Sequence, residues 1–199
     1  MSGKETAAPD LQGIEKVFEP PVKTRREVVL LGSAGERVIS AGMLLAHATI
    51  LAGMHVTQKN DYNITIMRGP SVTELIVSSE PIAYTEVEQP DVIVALSEEG
   101  VRRGWTLFEK IRPEGRVILT AGVEIPGTTA SILEVDFKAG GIKRKERALA
   151  ALSLLARTGD PVSQEMLREA ISQSFHGKRR EEALAVLNRA AEIPIRKPS

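Results

Sequence analysis

The chain has 199 residues, and its 26 lysines and arginines balance 26 aspartates and glutamates, so its net charge makes no electrostatic case for nucleic acid or an anionic membrane. With 42% hydrophobic residues it can bury one sizeable core without dividing in two. Cysteine is absent, which excludes thiolate-bound iron–sulfur clusters, and His47, His55 and His176 lie in separate segments without the short spacings of zinc sites.

Residues 1–26 mix glycine, proline and charge and read as an N-terminal arm, leaving 27–199 as the main domain. The first residues lack the apolar core of a secretory signal. The longest apolar stretch, Val38 to Met54, is broken by Ser40, His47 and Thr49 and is too short for a membrane span. A cytoplasmic location is expected. Val28-Val29-Leu30-Leu31, ending at Gly32, has the character of a strand buried on both faces. From Glu36 to Leu51 a helix rich in Ala, Leu, Ile and Met is predicted, buried nearly all round and stopped at Gly53. Within it Gly42 and Ala46, four apart, share a face that permits close backbone approach. His55-Val56-Thr57 is a short second strand, followed by a polar loop from Gln58 to Pro70 and a stronger strand from Ser71 to Ser78. Asp91 to Leu96 is the next apolar strand. Ser97 then caps a helix expected to place Val101, Trp105, Phe108 and Ile111 on one face.

Arg116 to Thr120 and an edge strand, Ser131 to Asp136, complete the sheet. Helices follow over Lys143–Arg157, Gln164–Phe175 with Ser163 as cap, and Lys178–Glu192. Strands separated by helices predict an α/β fold, a Rossmann-like, doubly wound and mainly parallel sheet with a C-terminal helical segment from about residue 143. That segment reads as a lid, a dimerisation surface or the last layer of the core.

The first strand-to-helix turn, Gly32-Ser33-Ala34-Gly35-Glu36-Arg37, exposes backbone N–H groups at a helix N-terminus, where a phosphate or carboxylate is favoured. It departs from the dinucleotide fingerprint G-x-G-x-x-G at Ala34 and Arg37, and it lacks the Lys-Ser/Thr ending of a phosphate loop. A tight helix–sheet turn explains it equally well. In the following loop Tyr62, Arg68, Gly69 and Pro70 precede a strand, so Arg68 either reaches an anionic group or lies at the surface or an interface. Arg102-Arg103 and Lys143-Arg144-Lys145 are flanked by Glu99 and Glu146 and read as solvated helix faces. The histidines read as packing or surface residues. Adjacent glutamate pairs at 98–99 and 181–182 point apart on a helix and make no acid/base dyad.

Taken in order, these pieces resemble the gamma subunit, or gamma-type domain, of the 2-oxoacid:acceptor (ferredoxin) oxidoreductases that use thiamine diphosphate and coenzyme A. The resemblance runs from Val28 to Ala191. The family's G-x-G-G-Q-G and Ala-Gly helix correspond to Gly32–Arg37 with Ala41-Gly42. Its Tyr-Gly segment and Arg-Gly-Gly correspond to Tyr62-Asn63 and Arg68-Gly69-Pro70. Its Asp-hydrophobic-Ala-Leu strand corresponds to Asp91–Leu96. Departures are Ala34 for glycine, Glu36 for glutamine, Arg37 for glycine and Pro70 for glycine, and the family's asparagine before the late helix has no counterpart near Lys143. A carboxylate at Glu36 repels a phosphate unless neutralised, and Arg37 is placed either to do that or to make its own contact.

The resemblance implies an accessory subunit without a catalytic residue, metal or redox centre of its own, in a cytoplasmic complex that oxidatively decarboxylates a 2-oxoacid to its acyl-CoA. Alpha and beta thiamine-binding subunits and a ferredoxin-like iron–sulfur subunit are the implied partners, carrying thiamine diphosphate, magnesium and the clusters. Coenzyme A is the implied co-substrate, with Gly32, Ser33, Ala34, Gly35, Glu36, Arg37, Tyr62, Arg68 and Gly69 as its candidate contacts. Two alternatives stay open, a free-standing dinucleotide-binding oxidoreductase and a purely structural interaction subunit.

Overall fold

The computed structural model describes residues 17–21, 24–62 and 68–196. At its centre is the run of aliphatic residues at 28–31, which forms most of strand β1 (Arg26–Ser33). Val28 and Leu30 belong to one apolar cluster, and Val29 and Leu31 to another. Both faces of β1 are covered, which is why the run is apolar throughout instead of alternating.

Around β1 a six-stranded sheet is built in the order β2-β3-β1-β4-β5-β6. Its other strands are β2 (His55–Tyr62), β3 (Pro70–Ser78), β4 (Val92–Ala95), β5 (Arg116–Thr120) and β6 (Ser131–Val135). Strands β1, β4, β5 and β6 run parallel, whereas β3 is antiparallel to both β1 and β2. The mainly parallel, doubly wound expectation therefore holds, with β3 as the one reversed strand. Strand β2 is longer than expected: Gln58–Tyr62, predicted as loop, pairs with β3 residue by residue from Gln58↔Leu75 to Tyr62↔Ser71. Its polar composition hides this, because an edge strand draws its order from the ladder its neighbour offers.

Across that hairpin Glu74 stands opposite Lys59. Burial raises its carboxyl above the ordinary value of 4.5; Lys59 opposes the shift, and Glu86, Asp61 and Glu27 add to it. A carboxyl raised in the fold leaves stability fullest at low pH and removes some as pH climbs through its folded value. Glu74→Gln is therefore expected to raise the melting temperature at neutral pH and to bring no such gain below 4.5, as read by thermal melts at the two pH values.

Helix α1 (Val38–Ile50) lies on one face of the sheet. The close approach expected at Gly42 is real: a Cβ there would sit 2.8 Å from Gln58 Nε2 and 2.9 Å from Thr73. Burial nearly all round holds, with Ser40 exposed and Met43 62% exposed as the exceptions. On the opposite face the single helix predicted after Ser97 breaks into α2 (Glu98–Arg103) and α3 (Leu107–Lys110). Ser97 caps α2 through Gly100 N–H as expected, and Val101, Phe108 and Ile111 are buried. Trp105 is not on that face but 46% exposed. The break falls at Gly104, where a Cβ would meet Leu31 at 2.6 Å, so sheet contact, invisible in helical periodicity, sets the direction of the chain.

A 3₁₀ turn (Arg144–Glu146) leads into α4 (Arg147–Ala156), α5 (Gln164–Ser174) and α6 (Gly177–Ala191). Ser163 caps α5 by accepting from Met166 N–H at 3.2 Å. Leu152, Leu167, Ile171, Val186 and Leu187 are buried in one cluster with α1 and the sheet. Ser153 Oγ donates to Leu187 O at 2.9 Å, tying α4 to α6. Of the roles left open for the helical tail, these contacts show the last layer of the core.

Candidate functional site

Three segments meet at one end of the sheet, where β1 and β4 end and the reversed strand β3 begins. The first is the turn from Gly32 to Arg37. Gly35 has φ of 90° and Arg37 φ of 58°, the one non-glycine residue with positive φ among those described. Arg37 stands at the N-cap position of α1 without a side-chain cap. The second is Arg68-Gly69, leading into β3. Ala34 N–H donates to Gly69 O at 3.0 Å, and Ser33 pairs with Pro70 across the β1–β3 ladder. The two glycine-bearing segments, more than thirty residues apart, are thus stitched together. Tyr62 ends β2 beside them, paired with Ser71, and Asn63 lies outside the described residues. Arg68 is exposed.

The third segment is the start of α2, beyond β4. Doubly wound sheets open a ligand crevice where the winding changes, here between β1, whose helix crosses one face, and β4, whose helix crosses the other. That crevice is filled. A Cβ on Gly100 would lie 2.3 Å from Gly32 N and 2.5 Å from Leu31 C, so the α2 backbone rests on the end of β1.

The interior of the glycine turn is also filled, by Glu36, whose side chain is fully buried. Its Oε2 accepts from Ser33 N–H at 2.9 Å and from Ser33 Oγ–H at 3.2 Å. Its Oε1 is 3.5 Å from Arg147 Nη1 and 3.8 Å from Arg144 Nε. Arg144 Nη2 donates to Ser33 Oγ at 2.7 Å. The cations that neutralise Glu36 are therefore Arg144 and Arg147. Arg37, the neighbour expected to do so, points outward and makes no ion pair among the described residues. Lys143-Arg144-Lys145 is exposed, as expected for a solvated face, but from that face Arg144 also reaches Ser33 and Glu36; Arg147 was not singled out at all. Each lies 108 or more residues from its partner in the turn, and neither shows a local pattern that gives it away.

A phosphate fits poorly in this turn. The Ser33 N–H that a glycine-turn phosphate would use is spent on Glu36, and a second anion beside that carboxylate meets repulsion in a site of low dielectric. What stays open is the rim. Gly35 has nothing within 4 Å of a Cβ position, and Arg37 and Arg68 are exposed. Arg37 also edges a cleft of about 320 Å³ between α1, α4 and α6, floored by Leu44, Leu149, Phe175 and Val186.

His47 is a packing residue, as expected. It bridges α1 to α5 through Ser174 Oγ (2.9 Å) and Gln173 Oε1 (3.2 Å). Among the described residues no group of His, Asp and Glu is placed to hold a metal ion, and no helix is long and apolar enough to cross a membrane.

Residues 27–193 match the model of the family described as pyruvate ferredoxin/flavodoxin oxidoreductase. The chain belongs to that family. The resemblance drawn from its motifs is borne out by the pyruvate ferredoxin/flavodoxin oxidoreductase match and by its relatives. A 2-oxoglutarate synthase subunit, KorC, of Methanocaldococcus jannaschii is 26% identical over 182 residues, covering 86% of this chain and 95% of that protein. The pyruvate oxidoreductase subunit PORC of Thermotoga maritima superposes with a TM-score of 0.69 at 22% identity, over 89% of this chain and all of that one. In the 2-oxoglutarate:ferredoxin oxidoreductase of Magnetococcus marinus, solved with 2-oxoglutarate, coenzyme A and succinyl-CoA bound, the TM-score is 0.70 at 19% identity. There the match takes in 85% of this chain but 31% of the larger one. The family's fold thus occurs both as a separate subunit and as part of a longer chain.

Proposed function

We propose that this chain is the accessory, gamma-type subunit of a cytoplasmic complex that oxidatively decarboxylates a 2-oxoacid to its acyl-CoA. Alpha and beta subunits bind thiamine diphosphate and magnesium, and a ferredoxin-like subunit carries iron–sulfur clusters through which the electrons leave. The observation that carries this reading is the family match over 27–193, taken with its near-complete coverage of a separate synthase subunit. A chain without cysteine has no thiolates for a cluster, so the redox centres belong to partners. Its own part is assembly, with Gly35, Arg37 and Arg68 as the rim along which the co-substrate coenzyme A is met. Thiamine diphosphate supplies the carbanion chemistry when bound to its own subunits, and this chain orients and supports.

The filled crevice at Gly100 and the occupied turn both speak against a free-standing dinucleotide enzyme. Glu36 in turn lends weight to the purely structural variant of the subunit role. Affinity purification of the tagged chain from its native source is expected to bring down thiamine-enzyme and iron–sulfur subunits, identified by mass spectrometry. Recovery as a stable monomer without them overturns the assignment. Protection of the Gly35–Arg37 amides from exchange by coenzyme A in the purified complex separates a rim contact from scaffolding alone.

A further inference from the structure

The fold's glycine turn has the parts of an anion seat. These are the Ser33 N–H and hydroxyl, the guanidinium groups of Arg144 from the 3₁₀ turn and Arg147 from the start of α4, and the N-terminus of a 13-residue helix without a side-chain cap. In this chain the seat already holds an anion. We infer that Glu36 is the turn's built-in occupant, a carboxylate that closes the seat to phosphate and latches the turn to α4, so that this subunit takes no phosphate group of any ligand inside the turn.

The carboxylate is fully buried and uses one oxygen for Ser33 and the other for the arginines, so it takes up the Ser33 N–H and faces both guanidinium groups, while Arg144 Nη2 also donates to Ser33 Oγ. A Cβ at Gly32 would lie 2.6 Å from Val38 Cγ2 and 2.9 Å from Oε2, so the glycine leaves room for both side chains. Arg147 Nε is buried with no hydrogen-bond partner, which leaves the Glu36 carboxylate as the group holding that guanidinium in place. A phosphate entering the turn must evict a charge already paired twice, whereas a neutral residue at 36 leaves two arginines and an N–H facing an empty or uncharged seat. Position 36 thus decides whether the turn is a latch or a receptor. This rests on the chain being the subunit proposed above only for its consequence in the complex; the occupancy itself is a property of the chain.

The test uses the full chain and inorganic pyrophosphate as the probe, followed by backbone amide shifts in two-dimensional NMR. In the wild type the Ser33 and Glu36 amides are expected to stay unmoved while pyrophosphate is added. In Glu36→Gln they are expected to move saturably, with affinity raised roughly tenfold or more over the wild type. Adding Arg144→Gln to that variant is expected to remove most of the gain. Saturable movement of the Ser33 amide in the wild type overturns the inference, as does a folded Glu36→Gln variant that gains nothing. Should Glu36→Gln fail to fold, the wild-type titration decides alone, because binding at Ser33 and no binding there are opposite outcomes. Capture of partner subunits by the wild-type chain reads the subunit assignment separately, so either can fail without the other.

Discussion

Gly100→Ala is expected to destabilise the fold by about 3 kcal/mol or more, the upper end of what overpacking costs. The added carbon would lie 2.3 Å from Gly32 N and 2.5 Å from Leu31 C. Those atoms are backbone in the central strand, so no side chain can swing aside, and relief requires α2 to lift off β1. Lifting it would uncover Val101 and loosen Phe108, both buried beneath the α2–α3 layer. Gly127→Ala is the matched control: nothing lies within 4 Å of its Cβ position, and its φ is not in the left-handed range. That substitution is expected to be neutral or slightly stabilising, by up to about 1 kcal/mol, through the entropy of the unfolded chain. Urea unfolding of the two variants beside the wild type makes the comparison, and equal midpoints would show that α2 is not seated on β1 as described.

Glu36→Ala is expected to cost about 3 kcal/mol. It removes the acceptor of a buried N–H and leaves Arg147 with its carboxylate partner gone. Two considerations hold the figure down. The side chains of Arg147 and Arg144 are 26% and 61% exposed, so water screens part of the ion pairing, and Arg144 keeps its bond to Ser33. Glu36→Gln keeps the shape and one acceptor oxygen, so its loss is expected to be smaller, about 1–2 kcal/mol. The order wild type, Gln, Ala in denaturant midpoint is the signature of a carboxylate that both bonds and fills. If alanine matches the wild type, the carboxylate does not hold the turn.

Both predictions concern the same few ångströms of the molecule, where the end of β1 is pressed by α2 on one side and filled by Glu36 on the other. Together they describe a glycine-bearing turn whose interior and flank the protein itself occupies. Glycine at 32 admits a side chain of the protein itself, and glycine at 100 admits a helix backbone.

Much of this was open to inspection of the amino-acid order. Strands β1, β4, β5 and β6 were legible because continuous or bounded apolar runs can only be buried, and α5 of the tail because Ser163 marks where it starts. The family, too, could be reached from the succession of Gly32–Arg37, Arg68-Gly69 and Asp91–Leu96. The polar half of β2, the break at Gly104 and the exposure of Trp105 were not legible, since each depends on which surface is facing the segment. The same holds for the decisive feature of the glycine turn. A carboxylate at position 36 was visible from the outset, along with its conflict with a phosphate. That it folds inward, and that Arg144 and Arg147 from the far side of the chain neutralise it while the adjacent Arg37 turns away, was settled by the tertiary structure alone. Local sequence determines which groups carry charge and which must be buried, but ion pairing acts through space at a few ångströms, and only the packed fold decides which charges come that near.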